Sequence, residues 1–371
     1  MKEIKEIRED LHGRILLLDG ALGTMIQQYN LSEGDFRGEE FASWHTELKG
    51  CNDILSITRP DIIKDITTQY LNAGADIITT NTFNANAISL SDYGLEEYAY
   101  EISKCAAQIL RHEIDKAMSN DSSRKRYVAG SLGPTNRTSS MSADVSNPAA
   151  REVSFDDLVK AYRTQIEGLL DGGSDIIILE TVFDTLNAKA ALYAISEVNE
   201  ARNIQIPTLV SGTITDASGR TLSGQTIEAF YASVSHANLI SIGLNCAFGA
   251  KQMLPYLKQL SSIAECFISV YPNAGLPNIM GGYDETPSMF AEDIEEYLRC
   301  GAVNIVGGCC GTTPEHIALL RGLIDKYPPR QIPEIETVST LSGLEPLHIT
   351  HKANFINIGE RGNVAGSAKF A

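Results

Sequence analysis

The sequence predicts a (β/α)8 barrel of the TIM type, and three observations point to it. Eight short apolar runs recur along the chain, segments of helical periodicity separate them, and several helix-to-strand joints share one glycine-centred punctuation. The runs are Arg14–Asp19, Asp76–Thr80, Tyr127–Ser131, Asp175–Glu180, Thr208–Gly212, Ile240–Asn245, Phe267–Tyr271 and Val303–Gly307. Each is nearly continuous in Val, Ile and Leu, as strands of a parallel sheet buried on both faces must be. The segments Pro60–Gly74, Phe155–Gly173, Thr185–Ala201 and Phe290–Gly301 carry apolar residues at helical spacing. Ala-Gly-Ala-Asp (73–76), Asp-Gly-Gly-Ser-Asp (171–175) and Cys-Gly-Ala-Val-Asn (300–304) each end a helix with glycine and feed a strand. A doubly wound sheet is the competing layout. It calls for a phosphate loop after the first strand, and Gly20, Gly23 and Gly34 have the wrong spacing for one.

Composition narrows the function classes. The 371 residues are 43% hydrophobic and 21% charged, an ordinary globular balance. Lys plus Arg number 30 against 47 Asp plus Glu, and the net charge of -17 repels nucleic acid and anionic membrane. The one compact basic run, Arg124-Lys125-Arg126, reads as a solvated turn before a strand. No apolar stretch approaches the roughly 18–20 residues that span a bilayer. The first fourteen residues are charged throughout, without a signal-peptide core, so a cytoplasmic location is expected. Seven cysteines, an odd number, suit a reducing compartment and free thiols better than a disulfide framework. The barrel is expected over 1–326. Residues 327–353, rich in Pro, Ser and Thr, read as a linker, and 354–371 as the truncated start of a further domain.

Chemistry in such a barrel belongs at the C-terminal ends of the strands. The polar residues there are Asp19, Asn81, Ser131, Glu180, Thr213, Asn245, Cys246, Asn273, Cys309 and Cys310. Cys309-Cys310 lies between glycines that let the chain turn both sulfurs to one point. With Cys246 they form three thiolates on one rim, the pattern of a zinc site that keeps its fourth position open. Any single cysteine is more often a small buried apolar residue, and Cys51, Cys105, Cys266 and Cys300 take that reading. Zinc with three thiolates is a poor activator of water but suits a soft sulfur ligand. A substrate thiol bound there loses its proton and stays nucleophilic, as methyl transfer to sulfur requires.

Asp19 and Glu180 end strands one and four, where a carboxylate can bind a substrate ammonium group or cap the following helix. These two readings stand even on the residues alone. Backbone N–H groups around Gly20 and Ala21 offer a small nest for a substrate carboxylate.

Eight motifs run in order along nearly the whole chain: LDGALGT (18–24), TTNTFNAN (79–86), LGPTNRTSSMSADVSNP (132–148), ETVFDTLNAKAA (180–191), SGTITDASGRTLSGQT (211–226), GLNCAFG (243–249), YPNAGLPN (271–278) and GGCCGTTPEHI (307–317). Together they resemble the N-terminal homocysteine-binding region of the cobalamin-dependent methionine synthases, over about residues 10–325. The tail FINIGERGNVAGS resembles the opening of the folate-binding barrel that follows in that family, with Gly362 where Thr is expected. The resemblance implies a methyltransferase of methionine biosynthesis, with Zn²⁺ on Cys246, Cys309 and Cys310 and Asn273 as fourth ligand when substrate is absent. It implies that Asp19 and Glu180 hold the homocysteine amino group, with Gly20 and Ala21 near its carboxylate. It also implies that methylcobalamin and 5-methyltetrahydrofolate act on further domains of the same longer chain. Asp10-Leu11-His12-Gly13 begins like a cobalamin-binding D-x-H-x-x-G, but Ile15 replaces the glycine, so it reads as a decoy at a helix end. A homocysteine S-methyltransferase that takes its methyl group from betaine or S-methylmethionine is the alternative.

Overall fold

Every one of the eight apolar runs contains a strand. In a computed structural model that describes residues 4–142, 144–215, 218–278, 282–357 and 359, they are β1 Leu16–Leu17, β2 Ile77–Thr79, β3 Tyr127–Leu132, β4 Ile176–Val182, β5 Thr208–Gly212, β6 Ser241–Gly249, β7 Phe267–Asn273 and β8 Ile305–Val306. All pairings among them are parallel, in the order β1-β8-β7-β6-β5-β4-β3-β2. A single bridge between Leu18 and Ile77 joins the two ends and closes the barrel. Two apolar layers result. Leu16, Ile77, Tyr127, Ile178, Leu209 and Phe267 fill the interior, while a larger layer lies between the sheet and its surrounding helices. The charged N-terminus forms a helix, Ile4–Gly13, whose Ile7 and Leu11 join the interior layer and plug one mouth. His12 sits at that helix end against Phe267, 4.8 Å between ring centroids. No helix among the described residues is long and apolar enough to cross a membrane.

The repeated punctuation has a second function that the glycines alone do not reveal. Gly74, Gly173 and Gly301 take φ values of +96°, +101° and +58°, left-handed turns that end the helices Pro60–Asn72, Phe155–Asp171 and Pro287–Arg299. The polar residue that follows then pins the neighbouring strand. Asp76 accepts the Leu17 N–H at 2.9 Å, Asp175 the Val128 N–H at 3.0 Å, and Asn304 the Ile268 N–H at 3.0 Å. A side chain thus accepts a strand N–H at the N-terminal end of the sheet in three places. Asp76 is also paired with Arg14 and Arg321, each at 2.8 Å, across the closing seam.

Residues 327–353 differ from the expected linker. Arg330 is buried and donates to the carbonyls of Ser261, Ala264 and Cys266. Strands β9 Ser339–Ser342 and β10 Pro346–Ile349 form an antiparallel hairpin against the helix Ile227–Val234. The hairpin is tied to the loop after β5 by Thr226 N–H to the Leu344 carbonyl at 3.0 Å and by the Arg220–Glu345 ion pair at 2.7 Å. Its strands are four residues long each and largely exposed, too short for either period to show in the sequence. The domain start expected over 354–371 lies mostly outside the described residues.

Replacing Asp76 by Ala leaves the Leu17 N–H without its acceptor and removes one of two carboxylate partners from each of Arg14 and Arg321, which keep Asp10 and Asp325. We expect a loss of about 2 kcal/mol in urea unfolding, with a smaller loss for Asp76→Asn, which keeps an acceptor for Leu17.

Candidate metal and substrate site

Cys246, Cys309 and Cys310 converge as expected. Their sulfurs all lie within 4.8 Å of one another, with 4.0 Å from Cys310 to each of the other two. Zinc–sulfur bonds of about 2.3 Å at tetrahedral angles put sulfurs about 3.8 Å apart, so the trio is close to a ligand set without rearrangement. It is the one such cluster among the described residues.

Local backbone explains the aim of each sulfur. The β6–β7 register shifts between Asn245 and Gly249, and Cys246 and Ala247 take φ of +60° and +59°. That bulge lifts Cys246 off the strand face. Cys309 donates its N–H to the Pro272 carbonyl at 2.8 Å, and Ala274 donates to the Cys310 carbonyl at 2.9 Å, so the pair is clamped to the end of β7. A Cβ on Gly308 would lie 2.4 Å from Thr312 Oγ1, and one on Gly311, whose φ is +83°, 2.3 Å from the Tyr283 ring. Hydrogen bonds from Cys246 and Cys309 hold the Cys310 thiol far below its ordinary range, while Cys246 and Cys310 push Cys309 up. One thiolate shared among three sulfurs is a soft donor set in want of a cation. Asn273, the last residue of β7, has a buried Oδ1 without a hydrogen-bond partner, but it is not among the residues that line the cavity the cysteines border.

The sulfurs form part of the wall of a cavity of about 280 Å³ that also holds Asp19, Gly20, Ala21 and Glu180. Asp19 does not cap the next helix. Its carboxylate accepts the Thr79 N–H at 2.8 Å and the Thr79 hydroxyl at 3.0 Å, and the helix Leu22–Gln28 begins with no side-chain cap. Glu180 accepts the Ser131 hydroxyl, and the helix after β4 is capped by Asp184 instead. Burial pushes Asp19 up to about 8, against the Thr79 hydrogen bonds and with the Glu180 charge. Burial likewise raises Glu180 to about 7. No Lys, Arg or His lines the cavity among the described residues. Both carboxylates therefore face an uncompensated negative enclosure suited to an ammonium group.

Gly20 fits because a Cβ there would meet Thr312 Oγ1 at 2.8 Å and the Tyr70 hydroxyl at 2.9 Å. The Ala21 N–H donates to Thr312 Oγ1 at 3.1 Å, so it is not free for the expected carboxylate nest. Two residues escaped the strand-end reading. Asp53 lies in a short 3-10 turn, lines the cavity, accepts the Asn84 N–H at 2.9 Å and is pushed up to about 6 by burial. Tyr283, on the loop after β7, packs its ring on Gly311, beside Cys310. Neither belongs to a strand terminus, so nothing in the periodicity singles it out.

The barrel is similar to crystal structures of the homocysteine methyltransferase MmuM from Escherichia coli. The oxidized form superposes with a TM-score of 0.64 at 22% identity, over 83% of this chain and 95% of that one. The metallated form gives 0.63 at 23% identity, over 83% and 96%. At these identities the likeness establishes the fold. The family model for homocysteine S-methyltransferases, by contrast, matches the sequence itself over residues 16–324. A match of that extent, ending beyond the vicinal cysteines and containing the whole cavity, places this chain in the homocysteine S-methyltransferase family of methyltransferases.

Proposed function

We propose that the barrel holds zinc on Cys246, Cys309 and Cys310, binds homocysteine through Asp19 and Glu180, and readies its thiol to take a methyl group from methylcobalamin, giving methionine. The observation that carries this reading is the placement of three converging sulfurs and two desolvated carboxylates around one cavity without a cationic side chain among the described residues. A zinc ion there supplies Lewis acidity that keeps a coordinated thiol deprotonated near neutral pH. The protein's own residues do the rest. Asp19 and Glu180, steadied by Thr79 and Ser131, grip the ammonium end and hold the substrate in one orientation. Burial of the site removes competing water and strengthens those charge-assisted bonds. Asn273, with its unpartnered Oδ1, is the side chain we assign to the fourth metal position before substrate arrives. In the transfer, a lone pair on the homocysteine sulfur forms the S–CH₃ bond while the donor's bond to carbon breaks and its electron pair leaves with the donor.

The choice of methylcobalamin rests on the LGPTNRTSS and SGTITDASGRTLSGQT stretches and on the tail's likeness to a folate-binding barrel. It carries the corollary that cobalamin and 5-methyltetrahydrofolate are presented by other domains of a longer chain. Supplying methylcobalamin, betaine and S-methylmethionine separately to the protein with homocysteine tests it. Methionine formed from methylcobalamin alone is the expected result, and turnover with either onium donor transfers the reading to the alternative.

Each of Cys246→Ser, Cys309→Ser and Cys310→Ser is expected to abolish stoichiometric zinc by elemental analysis and to slow methionine formation by more than about a hundredfold, beyond what outer-shell changes usually cost. The melting temperature should move little, because the barrel core does not depend on the rim. Methionine itself, which lacks an ionisable thiol, isolates the carboxylates. Their raised values mean that acidification neutralises them in the free site, so ammonium binding is present above about 8 and lost as pH falls. The calorimetric Kd for methionine should rise by up to about tenfold per pH unit between pH 8 and 6. Glu180→Gln should weaken binding at pH 8 and flatten that profile; a native Kd independent of pH would remove the carboxylates from the ammonium site.

A further inference from the structure

Two side chains of the site stand next to backbone that L-residues rarely adopt. Thr181, which follows Glu180, has φ +57°, and Cys246 with Ala247 have φ +60° and +59°. For a β-branched residue the left-handed region is strained, so the surroundings must hold Thr181 there. Asn245 does so. Its Oδ1 accepts the Thr181 N–H at 3.0 Å and the Ser211 hydroxyl at 2.7 Å, and its Nδ2 donates to Thr181 Oγ1 at 2.8 Å.

The same residue governs the opposite end of the cavity. Asn245 is fully buried and pairs with Tyr271 in the β6–β7 ladder, at the last position before the register breaks. Its peptide leads directly into the left-handed pair that aims Cys246. The β4–β5 register shifts likewise between Leu179 and Val182, around Glu180 and Thr181. Two bulged strand ends, one carrying a carboxylate and the other a thiol, therefore meet in one amide side chain.

We infer that Asn245 is a positioning residue that couples the two ends of the cavity, so that ordering the Cys246 turn with a metal favours the Glu180 geometry that grips an ammonium group. The inference rests on the zinc and homocysteine reading above. No contact between the two ligands is needed. A fixed Cys246 restrains the Asn245 amide, the amide restrains Thr181, and Thr181 sets where Glu180 points. By linkage the coupling is reciprocal.

L-2-Aminobutyrate has the ammonium and carboxylate groups of homocysteine but no sulfur, so it reports the carboxylate end alone. Its Kd is to be measured by calorimetry on metal-free and zinc-loaded protein. Zinc loading should tighten native binding by about fivefold or more, the usual scale of coupled sites. In Asn245→Ala that factor should fall toward one. Thr181→Gly, in which glycine accepts the left-handed φ without the clasp, should lose it too and serves if Asn245→Ala does not fold. Both variants keep the three cysteines and both carboxylates, so any direct electrostatic effect of the metal on the probe is the same as in the native protein and the difference in the factor reads the mechanical part alone. A native factor of one, or the native factor retained in the folded variants, overturns the inference while leaving the site assignment in place. A native protein that does not bind the probe in either state overturns the ammonium site and this coupling together.

Discussion

Acidic groups buried at the C-terminal mouth without a cationic partner among the described residues are the constraint around which the rest is organised. Asp19 and Glu180 are buried there beside three thiols, with no cationic side chain lining the enclosure among the described residues. Burying ionisable groups without partners is costly, and the two carboxylates respond as that cost requires, by holding their protons more tightly. Such an arrangement does little for the stability of the barrel. It makes sense as a receptor whose missing positive charges arrive with its ligands, a metal ion and an ammonium group in our reading. Binding then recovers the desolvation already incurred on folding, which is what preorganisation means in electrostatic terms.

The barrel tolerates this because stability and chemistry are placed at opposite ends. At the N-terminal end Asp76, Asp175 and Asn304 each pin the adjacent strand, and a helix carrying Ile7 and Leu11 seals the interior. Carboxylates there are matched by Arg14, Arg111 and Arg321. At the C-terminal end the strands bulge, three non-glycine residues sit in the left-handed region, and carboxylates are left unmatched. Similar residue types are thus used in contrary ways. Asp76 with two arginines closes a seam, whereas Asp19 with Thr79 alone remains available to a ligand.

Much of this was legible in the amino-acid order, for identifiable reasons. Each strand is buried on both faces, so it reads as an unbroken apolar run, and the helix-ending glycines mark where the next strand begins. The hairpin at 339–349 was hidden because its strands are only four residues long and largely exposed, and Arg330 because a buried arginine looks like any other in a Pro-rich stretch. Asp53 and Tyr283 escaped because they reach the site from a short turn and a loop. That the Ala21 N–H is already occupied was hidden for a similar reason. The Thr312 hydroxyl that occupies it arrives from 291 positions away.

Taken alone, the sequence determined the barrel and the rim on which its three thiols meet. These depend on periodicity and on residue type at strand ends, both of which are local properties. Tertiary structure alone decided that Asp19 faces a ligand cavity instead of capping a helix, and that Asn245 braces Thr181. The reason is physical: the two outcomes differ in which distant donors reach a carboxylate or an amide, and in a φ value imposed from outside the segment. Side-chain identity permits either outcome, and only packing between remote parts of the chain selects one.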